Sequence, residues 1–361
     1  MLPANQLKKI SLLQYRNYAS ASFAFDTAIT CITGPNGSGK TNLLDAIYFL
    51  CYTKSYFTAL QQNNVQAGTD GFRISGAFLR EGRDETITCK WRAAKKEIFR
   101  NDIAYEKLTD HIGRYSAVMI APDDTELVNG GSELRRRWID SILGQVDKVY
   151  LEKLMHYQRV LLQRNAWLKM QAGQPVSDFA ELDYYNTQMA ADASYIFSQR
   201  TSFITDFVPV LAQVYCRLSG GKESPGLIYQ SDLAQKNLFE WLHSGLPADL
   251  RMQRTLRGIH KDDLELTLNG MSLKQFGSQG QKKSFLFALK LAQYRYLTKQ
   301  LGHKPMLLLD DIFEKLDQSR IEALLSIICS PEFGQVLLTD THAERIKAAF
   351  GPASDISFIA L

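Results

Sequence analysis

The stretch 34-GPNGSGKTNLLDAIYFL-50 decides the fold. Its opening residues, Gly34, Pro35, Asn36, Gly37, Ser38, Gly39, Lys40 and Thr41, satisfy the pattern G-x-x-x-x-G-K-[ST]. Glycines let a backbone curl tightly with its N–H groups turned inward, and a helix starting just behind adds the positive end of its dipole. The string therefore reads as a socket for a chain of phosphates. Lys40 is expected to reach the outer phosphates, Thr41 to hold a magnesium ion, and Asn42 to complete the binding set. The run before it, SFAFDTAITCITG, reads as a strand ending in glycine. Behind it, Leu43, Leu44, Ile47, Tyr48 and Leu50 recur at helical spacing, so the motif stands between strand and helix as its chemistry requires.

Working outward, residues 7–34 read as two strands about a polar turn, and 72–104 as short strands punctuated by glycine and charge. AVMIAPDD at 117–124 reads as a buried strand closed by Pro122. From Glu133 to about Leu218 the pattern is helical, interrupted by AGQPVSD, with a kink expected near Pro209. Heptads are not sustained, which argues for a compact lobe over a long coiled-coil arm. LELTLNGMSL reads as a hairpin about Asn269 and Gly270. An apolar helix over 279–300, the strand MLLLDD, a helix over 317–329, the strand QVLLTDTH, a helix over 343–349 and the strand ISFIAL close the chain as alternating α/β with parallel strands. The expected organisation is a head split into 1–132 and 255–361 around a mainly helical insertion at 133–254.

A magnesium-dependent phosphate site needs a carboxylate, and MLLLDD supplies one at the end of an apolar strand. Asp310 is expected beside the metal, and Asp311 one step further on, where it could orient or deprotonate an attacking water.

The bulk composition narrows the classes. The chain has 361 residues, 45% hydrophobic and 22% charged, enough for a sizeable core and too apolar for global disorder. A net charge of +4 fits a nucleic-acid partner without requiring one. The five cysteines form no CxxC pair, which points to a reducing compartment and away from a zinc knuckle. The start has no long apolar core and no run reaches the ~18 apolar residues that span a bilayer, so a cytoplasmic protein without a membrane partner is expected. Basic residues gather at 73–100, where Arg73, Arg92, Lys95 and Lys96 are candidates for DNA phosphates, and at Arg136 and Arg137. The bland reading, a solvated charged face, weighs equally for each cluster.

Three further strings carry a resemblance. KQFGSQGQKKSFLFALKLA resembles the signature motif of ABC/SMC-type ATPases in its S-x-G-Q form, Ser278, Gln279, Gly280 and Gln281. LLLDDIFEKLD resembles their Walker B strand and D-loop, with Asp317 in the latter, and LLTDTH their switch segment, with His342. YRNY at 15–18, GKTNLLDAIYFL, APDD, RRRWID, the run from Tyr157 to Asn165 and SQGQKKS are together similar to the RecF family of bacterial recombination and gap-repair ATPases, in order along nearly the whole chain.

That resemblance implies an ABC/SMC-like P-loop ATPase head of mixed α/β structure with an inserted helical lobe. It implies ATP and Mg2+ as cofactors, with Thr41 and Asp310 on the metal and Lys40, Asp311 and His342 in catalysis. It further implies an ATP-dependent head-to-tail homodimer in which Ser278–Gln281 of one copy covers the phosphate held by the other. Slow, DNA-stimulated hydrolysis would serve as a switch on double-stranded DNA near single-strand gaps or junctions. Its partners would be the mediators RecR and RecO and, through them, RecA, at the nucleoid. The chain departs from the family at Lys261 and Lys315, where the family usually carries arginine and glutamate; neither change removes a phosphate or metal ligand. A transporter ATPase subunit and a nucleotide-gated scaffold are the competing readings.

Overall fold

The computed structural model describes residues 5–171, 179–312, 324–350 and 356–361. AGQPVSD at 172–178, Asp317, Lys315 and the start of the helix expected from 317 lie outside the described residues. The chain forms two compact units, Met1–Asp124 with Phe287–Leu361, and Thr125–Leu286.

The first unit begins with β1 (Gln6–Tyr15), β2 (Tyr18–Ala24), β3 (Ile29–Thr33), helix α1 (Lys40–Tyr52), β4 (Gly71–Arg80), β5 (Arg83–Arg92), β6 (Lys95–Arg100), β7 (Ile103–Ala104) and β8 (Ala117–Ile120). The run SFAFDTAITCITG, expected as one strand, is two. Phe25–Ala28 breaks it: β2 pairs back on β1 as a hairpin arm, while β3 enters a different sheet. The polar pair Asp26-Thr27 sits at the break, and the Thr27 hydroxyl donates to the Ile29 carbonyl at 2.6 Å.

The second unit holds α2 (Glu126–Asn129), α3 (Ser132–Val146), α4 (Lys148–Met170), α5 (Ala180–Ser219), β9 (Pro225–Gln230), α6 (Leu238–Ser244), α7 (Leu246–Met252), β10 (Asp263–Leu268), β11 (Met271–Ser272) and α8 (Leu273–Phe276). Helix α9 (Gln279–Leu301) starts there and carries the chain into the first unit. That unit closes with β12 (Met306–Leu309), β13 (Val336–Asp340), the helix Ala343–Phe350 and β14 (Ile356–Ala360).

Two sheets build the first unit. One is antiparallel, in the order β2-β1-β4-β5-β6-β7; the other is parallel, in the order β14-β3-β13-β12-β8. Every residue of β8, β12 and β13 is buried, as strands covered on both faces must be. Helix α1 packs against β4 and β5 of one sheet and β8 and β13 of the other. It buries 11 of its 13 residues, which explains a sequence apolar nearly all round. Cys31, Cys51 and Cys89 are buried as free thiols in this unit.

In the second unit α3, α4 and α5 pack around buried arginines. Arg200 on α5 donates to Asp140 at 2.9 Å, to Asp262 at 2.8 Å and to the Ile259 carbonyl at 3.0 Å. Arg164 on α4 donates to Asp249 and Thr255, each at 2.7 Å, and to Asn186 at 2.8 Å. Removing one partner of such a pair costs about 3–5 kcal/mol, because the other charge stays buried alone. Helix α5 continues through Pro209 over its 40 residues without ending there. The hairpin expected at Asn269-Gly270 is the β10–β11 turn, with φ of 52° and 78° at its two corners.

Candidate nucleotide site

The phosphate loop leaves β3 and enters α1 through Gly39, which sits at φ 111°. A Cβ there would lie 2.6 Å from Asn17 Nδ2 and 2.7 Å from Tyr18 Oη, so only glycine fits. Those two neighbours hold the loop: Tyr18 Oη donates to the Gly39 carbonyl at 3.0 Å and Asn17 Nδ2 to the Ser38 carbonyl at 3.2 Å. Lys40 is buried, and its ammonium donates to the Gly34 carbonyl at 2.8 Å and the Pro35 carbonyl at 3.1 Å. The buried Ser38 hydroxyl has no partner among the described residues. A charged amine folded onto its own loop, with an orphaned hydroxyl beside it, fits a loop shaped for phosphate oxygens.

Asp310 arrives from far along the chain. Thr41 Oγ1 donates to it, 2.9 and 3.0 Å from its two oxygens. Asp310 is 3% exposed. Burial pushes its carboxyl up to about 6; hydrogen bonds from Thr339 and Thr41 oppose that rise, and the neighbouring Asp311 adds to it. A hydroxyl and a carboxylate converging at the edge of a phosphate loop are the hard oxygen donors that magnesium takes. Thr339 on β13 is the brace: its hydroxyl donates to Asp310 Oδ1 at 2.9 Å and accepts from the Asp311 backbone N–H at 2.9 Å. Asp311 has φ 43°, a strained value for a residue with a side chain. His342 is exposed beyond β13, its backbone N–H donating to Asp340 Oδ1 at 2.7 Å.

In the second unit, Ser278 and Gln281 form a reciprocal cap on α9. The Ser278 backbone N–H donates to Gln281 Oε1 at 2.7 Å, and the Gln281 N–H to Ser278 Oγ at 3.2 Å. Ser278 and Gln279 are exposed, Gly280 half-buried, and Gln281 Nε2 donates to Glu223 at 2.6 Å.

The basic candidates separate on inspection. Arg73 is exposed on β4, its Nε donating to Ser75 Oγ at 3.1 Å. Arg92 pairs with Asp70 at 2.9 Å and Lys95 with Glu97 at 2.8 Å, Glu97 half-buried and the other three exposed. Together with Lys90 they border a cleft of 440 Å³ that Leu13 and Gly71 also line. Lys96 turns the other way: it is half-buried and donates to the Thr53 carbonyl, at the C-terminal end of α1, at 2.8 Å. Arg136 donates to the Asp262 carbonyl at 2.5 Å, and Arg137 pairs with Glu133 at 2.5 Å.

His260 is half-buried against Tyr157, whose hydroxyl is 2.8 Å from its Nδ1, and desolvation lowers its pKa to about 4. Among the described residues no group of three or more His, Cys, Asp and Glu side chains could hold a metal ion. Nor is any helix among them long and apolar enough to cross a membrane.

Five residues around the loop received no role in the sequence reading: Arg16, Asn17, Tyr18, Asp45 and Thr339. YRNY was visible as a family-like string, and Asp45 as the lone acid in an apolar helix, one turn past Thr41; neither signal says what the side chains touch.

A phosphate loop between a parallel strand and a buried helix, closed by a carboxylate at the end of β12, two strands away in the same sheet, defines a P-loop ATPase head of the SMC type. The profile of the RecF/RecN/SMC N terminal domain matches residues 6–352. The chain belongs to the RecF family. It is 43% identical over 343 residues to the DNA replication and repair protein RecF of Flavobacterium johnsoniae, covering 95% of this chain and 96% of that one. It is 41% identical over 342 residues to the protein of the same description from Bacteroides fragilis, covering 94% and 92%. A solved structure described as the recombination mediator protein RecF with ATP in the RecFOR pathway superposes with a TM-score of 0.88 at 25% identity, over 95% of this chain and 93% of that one.

Proposed function

We propose that this protein is an ATP-driven switch in DNA replication and recombinational repair. The observation that carries the reading is the meeting of Thr41 and Asp310, 269 residues apart in sequence, beside the buried Lys40. The descriptions of the relatives as DNA replication and repair proteins, and of the superposed RecF as a recombination mediator that carries ATP, support it.

When bound, ATP with Mg2+ supplies the phosphoanhydride to be cleaved. Residues 34–42 bind the phosphates, Lys40 moving from the loop carbonyls to the outer phosphate oxygens. Thr41 and Asp310 hold the metal. Asp311, kept in place by Thr339, orients the attacking water and takes its proton, with His342 sensing the same phosphate. Ser278–Gln281 of a second copy completes the site in a head-to-tail dimer; the exposed, capped start of α9 offers a helix N-terminus to an anion. Turnover is slow and stimulated by DNA. The dimer holds duplex DNA near single-strand gaps through phosphate contacts, with Arg73, Lys90, Arg92 and Lys95 in the first unit and Arg137 in the second as the contacts we favour. It assists RecR and RecO in loading RecA, in the cytoplasm at the nucleoid.

The test is duplex affinity with ATP, ADP or no nucleotide at low and moderate salt. Tighter binding with ATP, weakening steeply with salt, is expected. Equal affinity in all three states would overturn the switch.

A further inference from the structure

Asp45 lies one helical turn beyond Thr41 on α1 and is fully buried. Its Oδ2 accepts from the hydroxyls of Tyr15 and Ser55, each at 2.8 Å, and its Oδ1 from the Tyr56 backbone N–H at 2.7 Å. Arg16 Nη2 stands 2.6 Å from the same Oδ2. The other arm of that guanidinium, Nη1, donates to Asn42 Oδ1 at 2.8 Å. Asn42 Nδ2 donates in turn to Asn17 Oδ1 at 2.8 Å, and Asn17 holds the Ser38 carbonyl. One planar cation therefore spans the first turn of α1 and the buried carboxylate beneath it. Residues three and four apart share a helix face, so Thr41, Asn42 and Asp45 rotate together. A buried carboxylate is costly unless paired and hydrogen-bonded, and this one is served from β1, from the turn after it and from the segment following α1. The helix can satisfy that demand at only one rotation and depth.

We propose that Arg16, paired with Asp45, is a positioning residue for nucleotide binding. It acts through Asn42 and the first turn of α1, fixing where Lys40 and Thr41 face the phosphates. The inference rests on the reading of residues 34–42 as a nucleotide site.

Arg16→Lys is the discriminating variant. It keeps a positive charge beside Asp45 and loses the second arm of the fork, because an ammonium is a point donor. Affinity for a fluorescent ATP analogue with magnesium is expected to fall about tenfold, while the nucleotide-free Tm moves by less than about 3 °C. In an Asn42→Ala background the same change should add less than about twofold, since the two side chains act as one unit. The neutral pair Arg16→Gln with Asp45→Asn removes both charges together and should show the same tenfold loss. Wild-type affinity in Arg16→Lys or in the neutral pair would overturn the proposal, as would a full, independent tenfold loss on top of Asn42→Ala. A lowered Tm with unchanged affinity of the folded protein would make the pair merely structural and overturn it equally. Lys40→Ala is the control: if it binds the analogue as tightly as wild type, the nucleotide reading itself has failed.

Discussion

The phosphate-loop end of α1 and the outer face of β4–β6 both carry clustered charge, and they differ in what that charge costs. At the loop, Lys40, Asp45 and Asp310 are each less than 5% exposed, and Asp310 reaches Thr41 from 269 residues further along the chain. Holding charged groups together out of water needs compensation from partners, so their meeting is informative. On the sheet, Arg92 with Asp70 and Lys95 with Glu97 are surface pairs worth about 0–1 kcal/mol each. Such pairs form freely, and their presence alone says little about a ligand. The comparison ranks the two sites: chemistry at the first follows from geometry, while DNA contact at the second must be measured.

The largest effect should come from Lys40→Ala. It removes the one ammonium in the loop, and nucleotide affinity, turnover and ATP-dependent dimerisation are expected to fall at least about 100-fold. Sedimentation and phosphate release would check this; near-wild-type turnover would erase the distinction between the two sites. Next, Asp311→Asn should lower turnover about 10- to 100-fold while ATP-dependent dimerisation persists, since the change takes away a proton acceptor and leaves the phosphate ligands in place. Loss of dimerisation alongside turnover would move Asp311 from catalysis to assembly.

Acid gives a third, intermediate effect. His111 is buried with Nε2 2.7 Å from the Leu50 carbonyl, and burial lowers its pKa to about 4, as it does for His260. Both folded values lie below the unfolded value near 6.5, so the stabilisation is complete above pH 6.5 and is lost as pH falls toward 4. By pH 5 each histidine should have withdrawn on the order of 2 kcal/mol. Denaturant midpoints at pH 7 and pH 5, for wild type and for His111→Gln, measure it; an equal pH slope in the variant would show that His111 contributes nothing.

How much of this was legible beforehand follows from where the information sits. GPNGSGKT and MLLLDD could be read because each is a local string with obligatory chemistry, and the alternation near the end announced the parallel sheet. The near-complete burial of α1 was half-visible: TNLLDAIYFLCY has only Asp45 as a polar residue after its first turn, yet spacing alone predicts one broad face. The break between β2 and β3 was missed because Phe25 and Ala28 keep the run apolar across the gap. The roles of Arg16, Asn17 and Tyr18 were out of reach, since their contacts span separations of 21 to 48 residues. Arg136 could not be told from a DNA contact by sequence, because its partner is a backbone carbonyl 126 residues away.

The basic sheet face yields the two smallest effects. Arg73 and Lys90 stand opposite each other on β4 and β5, on the exposed side. Replacing both with alanine should weaken duplex binding about threefold to tenfold and lower the salt slope by about 2, one for each phosphate no longer neutralised. Lys96 is the contrasting case. Strand alternation puts it on the same side as the buried Ile98, away from Lys95, and it serves the Thr53 carbonyl where α1 ends. A cation on the last carbonyls of a helix is worth about 0.3–1 kcal/mol at an exposed site and up to about 2 when partly buried. Lys96→Met should therefore lower Tm by a few degrees while duplex affinity and its salt slope stay within about twofold of wild type. A loss of DNA binding from Lys96→Met as large as that from the Arg73 and Lys90 pair would mean that nucleic acid draws this side chain out of the fold, and the division of the cluster by burial would no longer stand.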